Sequence, residues 1–217
     1  MTLLDFARGP GLQWALWIFC LGVLWRIVGA MYLLGTKDLS KHRRKHYVRD
    51  GLRAVVTRSA PAEAFEQKIR FQHITGYLWH IALFISVLFF APHILFFESL
   101  FGISWPHLPN TFILISAAVA AALLIALFIR RATHPVQRLI STPDDYISMI
   151  LVLLPILTGL AAFAHIGFRY ETMLALHLLS VELMLIWYAF RKLMHAFMTF
   201  PARYQTGTFF GHRGVKA

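Results

Sequence analysis

Charge is scarce in these 217 residues. Only 14% are Asp, Glu, Lys or Arg, against about 25% in an ordinary soluble domain. Cysteine is nearly absent. The one thiol, Cys20, lies inside an apolar run, so the chain makes no internal disulfide and holds no Cys-based iron–sulfur cluster. It has no glycine-rich nucleotide loop, no internal repeat and no low-complexity segment. Acidic residues are also few, ten against 21 Lys and Arg, for a formal net charge of +11. That excess does not point to nucleic acid. The positive residues sit in short loops beside apolar runs, the pattern the positive-inside rule produces.

Apolar sequence fills the space that charge leaves. The chain is 58% hydrophobic, with a mean hydropathy of +0.61. Five segments are long enough to span a bilayer as helices: about Leu12–Leu34, Ile74–Phe97, Thr111–Ile129, Tyr146–Ile166 and Met173–Phe200. Lipid offers no partner to a free backbone amide or carbonyl, so the expected fold is an all-α bundle of five transmembrane helices, one membrane domain over 1–217. The first apolar run lacks a basic flank and a small-residue cleavage site, and is expected to be a retained helix. Between the first two segments, the loop 35–73 is the longest and carries ten Lys and Arg. Arg130, Arg131 and Arg138 follow the third, and Arg203, Arg213 and Lys216 lie in the tail. The loop Glu98–Asn110 has no Lys or Arg, and the one before the fifth segment has only Arg169. This alternation puts the N-terminus outside and the C-terminus in the cytoplasm, in a multi-pass protein of a bacterial or archaeal cell (inner) membrane.

Shorter signals mark the ends. SWPHLPN, with Pro106 and Pro109, predicts an irregular interfacial loop with Trp105 at headgroup level. STPDD predicts a helix start capped by Thr142, with Pro143 first and Asp144 and Asp145 in the first turn. Pro155 predicts a kink in the fourth helix.

Eleven histidines carry the chemistry of the chain. His42, His46, His134 and His212 read as solvated polar residues, and His107 as a surface residue of the outer loop. His177 and His195 are 18 residues apart. On one continuous helix that is five whole turns, so both imidazoles would leave the same face about 27 Å apart. The hydrocarbon core is about 30 Å thick, which puts one metal-binding side chain near each surface. The second helix runs the other way, placing His80 on the cytoplasmic side and His93 on the outer side. Pairing His80 with His195 and His93 with His177 gives two bis-histidine haem sites stacked across the bilayer. On a straight helix His80 and His93 would be only about 20 Å apart and offset by about 220°. Pro92, just ahead of His93, is a residue type that can reorient the helix end. His73, seven residues before His80 on nearly the same face, is the alternative ligand for the cytoplasmic-side haem. Gly76, Ala82, Ala175 and Ser180 are small residues near these positions.

The sequence ALHLLSVELMLIWYAFRKLMHAF resembles the last helix of the gamma subunit of respiratory nitrate reductase and of its wider family of five-helix dihaem b cytochromes. The similarity extends over about Trp14–Phe210 and includes LTGLAAFAHIGFRYETMLALH, STPDDY and FGISWPHLPN. The spacing of His80 and His93 departs from the nitrate reductase pattern, which has a shorter one. The resemblance implies two haem b groups between the second and fifth helices. It implies electron exchange between quinone or quinol and the iron–sulfur subunit of a partner complex, which carries the catalytic subunit. The chain would be one electron-transfer piece of an oxidoreductase, seated in membrane lipid.

A quinone site needs a proton acceptor beside an apolar slot, and His165 at the end of the fourth helix is the candidate. Glu182 is a candidate outer-shell partner of a haem ligand. Arg191, with Lys192, is a candidate partner for haem propionates. Two other readings are open: a haem-free membrane anchor or assembly subunit, and a proton-coupled transporter, which the missing inverted repeat disfavours. The charge pattern predicts that a phosphatase fused after Ala217 is inactive and a fluorescent protein fused there is bright. The reverse result would invert the topology.

Overall fold

The computed structural model describes residues 1–34, 40, 41, 43 and 47–215. His42, His46 and Lys216 lie outside the described residues. Those residues are helical, with no strand among them: α1 (Leu3–Phe6), α2 (Leu12–Leu34), α3 (Tyr47–Thr57), α4 (Glu63–Leu88), α5 (Ala91–Phe101), α6 (Asn110–Thr133), α7 (Pro135–Ile140), α8 (Pro143–Phe163), α9 (Tyr170–Phe190) and α10 (His195–His212). Five helical spans are long and apolar enough to cross a membrane: Leu3–Leu33, α4, α6, α8 and α9. Their outward faces are apolar and bare, as a lipid-facing surface is. Trp14, Trp17 and Trp25 of α2 are all well over half exposed. The sequence predicts one domain over 1–217. The chain forms two compact units, Met1–Leu16 with Phe71–Leu185, and Trp17–Arg70 with Ile186–Ala217.

In the first unit α6 packs along α8, burying Ala120, Ala121 and Leu124 from one and Leu151 and Val152 from the other. The start of α8 follows its sequence signals. The backbone N–H and the hydroxyl of Thr142 donate to Asp145 Oδ2 at 2.8 and 2.9 Å, closing a capping box with Pro143 in the first turn. Such a cap is worth about 1 kcal/mol. Asp145 also pairs with Arg131 at 3.4 Å, tying the α6 end to the α8 start. The helix continues through Pro155.

The second predicted span is not one helix. It stops at Leu88, Phe90 is extended (φ −84°, ψ 126°), and α5 begins at Ala91 with Pro92 in its first turn. Pro92 has no N–H to give the Leu88 carbonyl four residues back. Trp105 Nε1 supplies that donor at 2.6 Å. The Leu108 amide donates to the Phe89 carbonyl at 3.0 Å. The irregular loop 103–109 thus pairs what the break leaves open, and the indole expected at headgroup level serves as a backbone cap.

The fifth predicted span, Met173–Phe200, is also divided, which corrects the five-turn geometry. Helix α9 ends at Phe190, Arg191 is extended (φ −123°, ψ −167°), and a 3₁₀ turn leads into α10 at His195. The Phe190 carbonyl accepts from Arg26 Nη1 at 3.3 Å instead of from a further helical amide. His177 and His195 therefore do not share a helix, and the common face and 27 Å rise do not apply.

In the second unit, α10 lies against α3 through glycines. A Cβ added at Gly207 would sit 2.5 Å from the Ala54 Cβ, and one at Gly51 would sit 2.6 Å from Thr208 Cγ2. Small residues at such a seam let backbones approach closely. Gly207→Leu should pry the two helices apart, at roughly 1–3 kcal/mol. Hydrogen exchange over 47–57 checks this: faster exchange is expected in Gly207→Leu, and an unchanged pattern would refute the packing.

Candidate functional site

Two histidines from distant parts of the sequence meet in the first unit. The rings of His93 (α5) and His177 (α9) have centroids 6.2 Å apart and planes within 12° of parallel. Each ring is anchored from behind. His93 Nδ1 lies 3.0 Å from the Val87 carbonyl, and His177 Nδ1 lies 3.0 Å from the Pro155 carbonyl. A carbonyl only accepts, so Nδ1 carries the proton in both rings, and in neutral imidazole the lone pair is then on Nε2. This is the tautomer and the backing that metal-ligating histidines use.

The break ahead of Pro92 creates this position for His93. It turns α5 away from the line of α4 and frees the Val87 carbonyl for the imidazole. Phe90 stands edge-on to the His93 ring at 5.1 Å and also meets Phe163 at 5.8 Å, so the surroundings are apolar. On the other side, α8 shapes the seat of His177. Thr158 Oγ1 is 3.4 Å from His177 Nδ1 and 3.2 Å from Ser180 Oγ. Gly159 gives the ring its room: a Cβ there would lie 3.0 Å from His177 Cε1.

The same backing recurs at the other two predicted ligands. His80 Nδ1 is 2.7 Å from the Gly76 carbonyl, and His195 Nδ1 is 2.9 Å from the Lys192 carbonyl. His80 belongs to the first unit and His195 to the second. Beside His80 there is space, since a Cβ at Gly76 would meet no atom within 4 Å. The alternative residue, His73, stands edge-on to Tyr77 at 4.8 Å.

Three other sequence candidates have different surroundings from those expected. Glu182 is buried beside Gly11, and its Oε1 has no hydrogen-bond partner among the described residues. Glu182 is expected as an outer-shell partner, but the polar contacts of His177 come from Pro155, Thr158 and the backbone-bonded Ser180. Arg191 lies over the Trp187 ring at 5.0 Å. His165 is exposed just beyond α8 in a left-handed conformation (φ 55°), stacked on Tyr170 at 5.3 Å. Sequence reasoning missed Thr158, Gly159 and the carbonyls of Val87 and Pro155. The carbonyls that the two histidines meet are not the ones that Pro92 and Pro155 leave open four residues back, and only tertiary packing brings them to the rings.

The donor set has the chemistry for a metal held by two imidazoles. A metal ion held between these two near-parallel rings would take Nε2 of each, the nitrogen left without a proton. No group of three or more His, Cys, Asp or Glu occurs among the described residues. A porphyrin brings four nitrogens of its own, so two histidines suffice for it.

The chain is similar to a protein of Nitratidesulfovibrio vulgaris (strain Hildenborough), 29% identical over 208 residues that cover 93% of this chain and 91% of the relative. No protein-family model and no solved structure matches it.

Gly159→Val should crowd His177 off the Pro155 carbonyl. Losing that bond and overpacking the seat together cost about 2–4 kcal/mol. Thermal unfolding in detergent should drop by several degrees, whereas Gly76→Ala should leave it unchanged or higher. Equal melting of Gly159→Val and the parent would disprove the assigned packing.

Proposed function

We propose that this chain is a dihaem cytochrome b membrane subunit of a respiratory oxidoreductase. It would pass electrons between the quinone pool and the iron–sulfur subunit of a partner complex that carries the catalytic subunit. The observation that carries this reading is the His93–His177 pair: two near-parallel imidazoles with centroids 6.2 Å apart, each with Nδ1 on a backbone carbonyl. The similarity of His177, His195 and their flanks to the nitrate reductase gamma family supports it further. So does the single cysteine, which leaves any iron–sulfur cluster to a partner.

In this reading His93 and His177 would hold one haem b through Nε2. His80 and His195 are assigned to the second on the sequence pattern, supported by their carbonyl-backed Nδ1 atoms. When bound, the haem supplies reversible one-electron iron chemistry. The chain's own residues fix the ligand tautomers through Val87, Pro155, Gly76 and Lys192. Phe90, itself packed on Phe163, keeps water away from the His93 ring. His165 and the aromatic Tyr170 stacked on it are the proposed quinone-side contacts. The topology proposed with it has the N-terminus outside and the C-terminus cytoplasmic, in a bacterial or archaeal cell membrane. The basic loop and tail would then lie on the cytoplasmic side.

The pyridine haemochrome of purified protein tests the proposal. About two haem b per chain are expected, falling to about one in His93→Ala and in His177→Ala. A haem-free protein with the parent's helix content would overturn the reading in favour of a plain membrane anchor.

A further inference from the structure

Helix α3 is short, basic and two-faced. One face is fixed by the glycine seam: Gly51 and Ala54 are buried, meeting Thr208, Tyr204 and Gly207 of α10. The only carboxylate of α3, Asp50, is on that side too, since a Cβ at Gly211 would sit 2.5 Å from its Oδ2. At the far end Arg203 Nη1 donates to Ser59 Oγ at 2.8 Å, so the helix has little freedom to roll.

Among the described residues the opposite face has no protein partner of that kind. Val48, Leu52 and Val56 recur at four-residue spacing and are 48%, 61% and 73% exposed. Such spacing makes one continuous apolar stripe. Arg49 and Arg53 follow the stripe one position on, about 100° round the helix, and both are exposed. The outward side of α3 is thus apolar in the middle and cationic at the rim, with no acid.

We propose that α3 is an interfacial helix that lies on acidic phospholipid. Val48, Leu52 and Val56 enter the headgroup–acyl boundary, and Arg49 and Arg53 reach lipid phosphates. Charge complementarity selects this occupant. An apolar stripe beside arginines suits a negatively charged bilayer surface. The membrane is also at hand, because this chain carries five apolar spans. The contact would hold α3 to the bilayer surface, and it does not depend on the haem reading.

The test uses full-length protein in nanodiscs of phosphatidylcholine alone or with phosphatidylglycerol, read by hydrogen exchange over 47–57. Exchange is expected to be several-fold slower in the acidic discs, with peptides of α6 and α8 unchanged between them. Arg49→Gln/Arg53→Gln should abolish the difference between the lipids. Val48→Gln/Leu52→Gln/Val56→Gln should speed exchange in both. Equal exchange of the parent protein in the two lipids would overturn the proposal. So would protection that appears only when a soluble protein partner is added.

Discussion

A backbone carbonyl at membrane depth has no water to bond, and the candidate site depends on how this chain meets that constraint. Proline at 92 withdraws one helical amide, and the chain breaks between Leu88 and Ala91. Three successive carbonyls then find partners from outside the helix: Val87 takes the His93 imidazole, Leu88 the Trp105 indole, and Phe89 the Leu108 amide. The break is therefore stable only with the histidine and the following loop in place. One proline positions His93, sets its tautomer and organises the loop 103–109.

A carbonyl of the facing helix backs the other histidine. Pro155 leaves α8 intact, and its carbonyl accepts from His177. Gly159, four residues on and so on the same face, makes room for the ring that arrives there. Each imidazole is thereby held at two points, its own Cβ and a carbonyl of another turn or helix. Rigid ligands of this kind suit electron transfer on the proposed reading, because little has to move when the charge on a metal changes.

Much of the fold was legible, and the divided helices show where sequence reading stops. The bounds of α2 and the capped start of α8 follow from local rules, an apolar run of the right length and a Thr-Pro-Asp-Asp signal. Helices two and five of the sequence reading are different cases. Nothing local in LIWYAFRKLMHAF ends a helix. The stop at Phe190 comes from Arg26, more than 160 residues earlier in the chain, which takes its carbonyl. That tertiary contact removes the five-turn geometry of His177 and His195. At the site, the pairing of His93 with His177 was reachable from depth in the bilayer, whereas its supporting residues were not, because hydrogen bonds to Pro155 and Val87 have no signature in composition or period. The α3–α10 seam was also hidden: its glycines are scattered in sequence, and only the close approach of two helices gives them a role.

The central claim is that His93 and His177 bind one iron between them. Electron paramagnetic resonance of the oxidised, purified protein tests it most directly, because near-parallel imidazole planes give a low-spin ferric haem a rhombic signal. The account predicts such a signal in the parent protein and its specific loss, or conversion to high spin, in His93→Ala. A parent protein with no low-spin ferric signal, or a His93→Ala spectrum identical to the parent's in shape and intensity, would contradict it.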